Sequence, residues 1–258
     1  MMNERLAALG EHERAIRRTF DGRMNYSGGV LFPTLYIVAF TNRSGSNLVS
    51  EHIRSTGLFS GLYEHLNFDT VELVSKDIGS TSFPDHIMKI VDIERLPGTA
   101  YGFKASWDQL AMLLRSGIDK MFNGVRVVHA TRRGLVEQAV SFSIADQTKR
   151  WFSTQSDTPN ASSEFRYEDI EARVAGIAEA NQMIAYLCSL FELPRLPIVY
   201  EEFSCNPVPD IRRFGNFAGI DLSIWAPDRT ELQKQADHTN EEFVRLFRER
   251  SRPRVLAS

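Results

Sequence analysis

Two short polar segments in this 258-residue sequence carry residues suited to holding anions. In the first, Arg43-Ser44-Gly45-Ser46 follows an apolar run and precedes a helical pattern. A helix N-terminus leaves backbone N–H groups without partners and carries a partial positive charge, so it attracts anions. Gly45 lets the backbone approach closely, and Ser44 and Ser46 add hydroxyl donors. Arg43 brings a permanent charge with a fork of donors matched to a tetrahedral oxyanion. Each hydrogen bond to a charged oxygen contributes roughly 1.5–3 kcal/mol. In the second segment, Thr131-Arg132-Arg133-Gly134 opens another helical pattern, and Ser141 stands eight residues beyond Arg133. That spacing is slightly more than two helical turns, which lets Arg133 and Ser141 share a face and clamp a second phosphate. Each segment also has a plainer reading: a serine N-cap beside a solvated arginine, and a solvated arginine pair with a helix-surface serine. Two such loops at successive strand ends point to a nucleoside phosphorylated at both ends.

The triphosphate-binding string G-x-x-x-x-G-K-[ST] does not occur, so the first loop lacks the lysine that serves a triphosphate. The balance of 30 basic against 33 acidic side chains, a formal net charge of −3, argues against a nucleic-acid partner. Two cysteines, Cys188 and Cys205, make neither a zinc site nor a disulfide framework and fit a reducing compartment. Both are expected as small buried hydrophobes. The first thirty residues lack the apolar run of a signal peptide, and no stretch reaches the roughly 18 apolar residues of a membrane span. The expectation is a cytoplasmic protein.

The elements that position these residues follow from periodicity. Leu35-Tyr36-Ile37-Val38-Ala39-Phe40 is apolar throughout, as in a strand buried on both faces. Residues 100–105 and 125–130 read as further strands, and Pro197-Ile198-Val199-Tyr200 as another. Helical patterns begin near Leu48, run through Trp107, Leu110, Leu113 and Leu114, and continue from Leu135 through Phe142. A long amphipathic helix spans 169–191, and 207–217 is a further helical segment. The first twenty residues read as one charged helix. Residues 66–100 read as irregular, with Gly79, Pro84, Pro97 and Gly98 as breakers, and 153–163 as a solvated loop. Alternating strands and helices give an α/β fold, a P-loop-like three-layer arrangement with a mainly parallel sheet. The expected organisation is one domain over 1–258, with 1–30 as an N-terminal helical extension.

These residues resemble the sulfotransferases that use 3′-phosphoadenosine-5′-phosphosulfate (PAPS), and within them the bacterial Stf0-type, trehalose 2-sulfotransferase-like family. The likeness rests on Tyr36-Ile37-Val38 leading into Thr41-Asn42-Arg43-Ser44-Gly45-Ser46, and on Ser55-Thr56-Gly57 with Glu64 seven residues later. It continues in Gly102-Phe103-Lys104-Ala105-Ser106-Trp107, Thr131-Arg132-Arg133, Gln138-Ala139-Val140-Ser141 and Tyr200-Glu201-Glu202-Phe203. It spans about residues 35–220.

The resemblance implies that Arg43, Ser44, Gly45, Ser46 and Asn47 surround the 5′-phosphosulfate, and that Arg133 and Ser141 hold the 3′-phosphate. It implies Glu64 as the base for an acceptor hydroxyl and Lys104 as an assisting cation at a strand end. Many animal relatives place a histidine base just past that lysine; Ser106 stands there instead. Asn47 replaces the family's usual threonine, and Gly134 replaces an often acidic helix cap. His65 and His52 are rival bases, and Trp151 is either core or a contact for adenine or substrate. The implied reaction is in-line sulfuryl transfer to a hydroxyl of a carbohydrate, glycolipid or similar metabolite. It releases 3′-phosphoadenosine-5′-phosphate (PAP) and needs no metal. Family relatives include homodimers. A non-catalytic nucleotide-binding protein of this fold and a P-loop-like kinase are the alternatives.

Overall fold

Leu35–Phe40 forms β1, and all six of its side chains are buried. Leu35, Ile37 and Ala39 enter one core cluster, whereas Tyr36, Val38 and Phe40 enter another. The period of two therefore feeds two hydrophobic layers, one on each face of the sheet. The computed structural model describes residues 2–151, 163–227 and 238–256.

Along the chain, α1 (Met2–Ala7) and α2 (Glu11–Thr19) precede β1. There follow α3 (Ser46–Ser55), β2 (Phe59–Tyr63), α4 (Phe68–Asp77), α5 (Phe83–Glu94) and β3 (Ala100–Ala105). Next come α6 (Trp107–Arg115), a 3-10 turn at Ile118–Met121, β4 (Val125–Thr131), α7 (Leu135–Thr148) and α8 (Tyr167–Leu190). The chain continues through β5 (Arg195–Val199), α9 (Tyr200–Phe203), α10 (Val208–Ala218) and α11 (His238–Leu256). The sheet order is β2-β3-β1-β4-β5, and every pairing is parallel. The expected three-layer α/β architecture is therefore present.

The first layer places Ile16, Phe20 and Met24 from the N-terminal region with Phe103, Leu110, Leu113, Ile184 and Leu187. The opposite layer joins Ile53, Leu62, Phe203 and Phe214 to β1. Fully burying one such side chain contributes about 1.5–3 kcal/mol. A third cluster ties α7 and α8 to α11 through Val140, Ile170, Phe243 and Phe247.

Three readings of the chain need correction. The N-terminal helix is two helices, parted before Gly10, which stands at the N-cap of α2. The stretch read as irregular contains α4 and α5, and Pro84 lies in the first turn of α5, where a missing N–H costs nothing. Between Thr56 and Asn67 the unrecognised β2 forms the sheet edge. The loop expected at 153–163 lies almost wholly outside the described residues.

Because all strands are parallel, the loops leading into α3, α6 and α7 open at one edge of the sheet, with the end of β2 beside them. Crevices at the carboxyl ends of such strands are where α/β proteins bind ligands.

Candidate active site

The loop after β1 turns sharply. Arg43 has φ +64° and Gly45 has φ +85°. A Cβ on Gly45 would stand 2.3 Å from the Tyr200 ring, so both the backbone and its neighbour require glycine there. Gly45 caps α3 without a side-chain bond, and the first turn of α3 holds no acidic residue. The first-turn N–H donors thus face no protein carboxylate from their own helix. Ser44 is 1% exposed, and its hydroxyl has no hydrogen-bond partner among the described residues. Leaving such a group unsatisfied costs about 1–3 kcal/mol, a cost that an incoming oxyanion removes.

Lys104, at the end of β3, is 4% exposed. Its Nζ donates to Glu64 Oε1 at 2.5 Å and also to Asn47 Oδ1. Burial lowers the Lys104 pKa, and the Glu64 carboxylate partly offsets that effect. Glu64 reaches this lysine because β2 carries an irregularity between Gly61 and Tyr63 against β3. Leu62 adopts φ +62° there and is buried, so packing holds a backbone state that leucine disfavours. The bulge redirects the end of the strand, and Glu64, 41% exposed, lines the cleft. His65 turns away, its Nε2 2.8 Å from Glu94 beneath the surface. His52 packs its ring on Phe203 and Trp225 and donates from Nδ1 to Leu48 O, although one side of it reaches the cleft. Of the three rivals, Glu64 is the group paired with Lys104, the strand-end cation that also bonds to Asn47 of the anion loop.

The second polar segment meets the first. Arg43 Nε donates to Ser141 Oγ at 3.0 Å, and its NH1 donates to Trp151 O at 2.7 Å. Gln138 of α7 donates to both Thr41 Oγ1 and Asn42 O at 2.8 Å, fixing the loop from below. Burial lowers the Arg43 pKa, and the charge of nearby Arg132 adds to the effect. Positive charge is therefore concentrated here, as an anion site requires.

The two arginines of the segment divide. Arg132 lines the cleft with its guanidinium 4.9 Å from the centre of the Tyr200 ring. Arg133 does not line it: its guanidinium pairs with Glu202 and is 64% exposed. The expected shared face of Arg133 and Ser141 is thus not formed, because Glu202 draws the arginine outward while Ser141 turns to Arg43. The missing acidic cap at Gly134 is supplied from elsewhere. Glu201 accepts from the backbone N–H groups of Arg133 at 3.0 Å and Gly134 at 3.2 Å. Burial raises the Glu201 pKa, but these two donors and Arg132 outweigh it and leave the carboxyl below its ordinary range.

Together these residues border a cleft of about 1510 Å3 that also includes His12, Asn67, Ser106, Asp108 and residues of α11. That volume exceeds what one small ligand needs and suits a nucleotide with a second substrate. Trp151 lines it and packs beside Phe142 with the rings tilted by 59° and their centres 5.9 Å apart. Cys188 is buried, and burial pushes its thiol up to about 11; Cys205, expected to be buried, is exposed at the cleft rim. Arg132, Gln138 and α11 are the contributors that sequence reasoning missed. Phe243, Val244 and Phe247, at helical spacing, were the available signal for α11.

A sequence model of the family described as Stf0 sulphotransferase matches residues 35–250. No curated protein sequence matches the chain significantly. Among solved structures, a sulfotransferase from Alicyclobacillus acidocaldarius aligns with TM-score 0.51 at 14% identity, over 84% of this chain and 92% of that one. The sulfotransferase domain of the Synechococcus PCC 7002 olefin synthase gives TM-score 0.49 at 14% identity, over 86% and 97%. Mouse sulfotransferase SULT7A1 complexed with PAP gives 0.46 at 12%, over 93% and 71%.

Proposed function

The chain belongs to the Stf0 sulphotransferase family, and from that premise we propose that it moves the sulfuryl group of PAPS to a hydroxyl of a carbohydrate, glycolipid or similar metabolite. The observation that carries this reading is the position of Lys104, buried and bonded at once to Asn47 of the anion loop and to Glu64. One ammonium group thereby links the place for a phosphosulfate to the place for a base. The orphaned Ser44 hydroxyl and the uncapped start of α3 supply further donors that fit such an anion.

PAPS supplies the sulfuryl group and a stable leaving phosphate. Arg43, the N–H groups at the start of α3 and the hydroxyls of Ser44 and Ser46 hold the 5′ end and answer the charge that grows on the leaving oxygen. Lys104 shifts from Glu64 toward the transferred oxygens, freeing the carboxylate. Glu64 then takes the acceptor's proton while its oxygen forms a bond to sulfur in line with the breaking S–O bond. Ser141, joined to Arg43, and Arg133, once drawn from Glu202, bind the 3′-phosphate; Trp151 offers a ring to the adenine. As in phosphoryl transfer, most of the catalysis comes from positioning and charge.

The test is incubation of the protein with 35S-labelled PAPS and a panel of sugars, glycolipids and simple alcohols. Label is expected in an alcohol-derived sulfate ester, with PAP released in equal amount. Transfer of phosphate from ATP, or tight PAP binding with no transfer to any acceptor, would contradict it.

A further inference from the structure

A second hollow, of about 380 Å3, adjoins the cleft and shares four wall residues with it: Phe40, Asn42, Ser106 and Asp108. Its remaining surface is largely hydrocarbon. Phe142, Trp107 and Ile177 stand around it, and Ala172, Gly176 and Ala180 of α8 recur at four-residue intervals along its floor. Arg173, the charged side chain that α8 adds to this wall among the described residues, is held by two carboxylates. It bonds to Asp169 and Asp146 at 2.9 Å each, and its guanidinium lies 4.1 Å from the centre of the Phe142 ring. Nε and NH2 are thus held by protein carboxylates and one face lies on Phe142, so the stem adds apolar cover to the hollow.

Gly176, an exposed residue of this wall, adds no side chain to the hollow. A Cβ placed on it meets nothing within 4 Å, although glycine inside a long helix is unfavourable. The polar residues of the shared wall, Asn42, Ser106 and Asp108, lie on the side toward Lys104 and Glu64, whereas the hydrocarbon lies on the far side. A molecule crossing from one to the other needs a hydroxyl-bearing polar head and an apolar tail.

We propose that this hollow receives the hydrocarbon part of the acceptor, so that the physiological alcohol is amphiphilic and not a bare sugar. The inference rests on the sulfotransferase reading and names the substrate class of that same site. The continuity of the walls is what assigns the occupant: a tail seated there belongs to a molecule whose head lies in the cleft.

The experiment measures dissociation constants of n-alkyl β-glucosides, methyl through hexyl, by calorimetry on PAP-saturated protein. The head is constant across the series, so only the tail varies. Each methylene that enters the hollow should tighten binding by about fourfold. In Gly176→Leu the new side chain occupies the same space, and the dependence on chain length should flatten. Because the added atoms enter open space, this variant is expected to fold; Ala180→Leu narrows the same floor from another position. A flat series in the unmodified protein, or an undiminished chain-length effect in both variants, would overturn the proposal while leaving PAP binding intact. Absence of PAP binding itself would instead remove the sulfotransferase reading, and the proposal with it.

Discussion

Glu64→Gln separates the chemistry of the site from its architecture. The amide keeps an oxygen where Lys104 Nζ now donates at 2.5 Å, but it carries no charge and cannot accept a proton from an alcohol. Glu64 is 41% exposed but Lys104 only 4%, so the substitution leaves a buried ammonium with a neutral amide oxygen in place of its carboxylate and should lower folding stability by about 1–3 kcal/mol. For a chain of this size that is a fall in Tm of about 2–12 °C. Loss of a general base costs roughly 10²–10⁴-fold in rate, equivalent to about 2.7–5.5 kcal/mol in the barrier. PAP should bind at least as tightly as before, because the Lys104 charge is no longer answered by a carboxylate. The assay is kcat for sulfate transfer, with PAP affinity from calorimetry and Tm from the same preparation. A kcat within about threefold of the parent would refute the role of Glu64, since it falls outside the range for losing a base. Parallel loss of PAP binding would mean that the glutamate supports the fold of the loop.

Arg133→Ala should weaken PAP binding at least tenfold while barely altering binding of adenosine 5′-phosphate, and Arg132→Ala should weaken both; equal effects of Arg133→Ala on the two nucleotides would show that the exposed arginine stays with Glu202. Stability should fall in mild acid. Burial holds His86 and His129 at about 4, with the charge of His65 assisting at His86, so both stay neutral in the fold. The unfolded chain binds their protons near pH 6.5, so their contribution is complete above that value and is lost as pH falls toward 4. Between pH 7 and pH 5 the loss amounts to at most about 4 kcal/mol for the two together, readable as a lower urea midpoint; an unchanged midpoint would contradict the buried neutral state.

What the chain discloses in its sequence depends on how local the cause is. The run at 35–40 announces β1 because the central strand is buried on both faces and tolerates no polar residue. β2 hides, because its short stretch contains Ser60, Gly61 and a bulge at Leu62, which spoil both alternation and apolar continuity. Pro84 resembles a breaker but starts α5, with Ser82 capping Asp85 N–H. Residue types alone marked the polar loop after β1 and the strand ending at Ala105, whereas Ser141 meets Arg43 and not the expected Arg133. The pairing of Lys104 with Asn47 and Glu64 depends on three strand ends meeting, and only family likeness anticipated its members. Which of two adjacent arginines faces the cleft is decided by Glu201, Glu202 and Tyr200, some seventy residues further along the chain.

The central claim is that one pocket at these strand ends recognises adenosine carrying phosphates at both ends. Calorimetric titration of the unmodified protein with PAP, and separately with adenosine 5′-phosphate, tests it directly. One site per chain is expected, with PAP bound at least tenfold more tightly than the monophosphate. Equal affinity for the two, or no binding of either, would contradict the account.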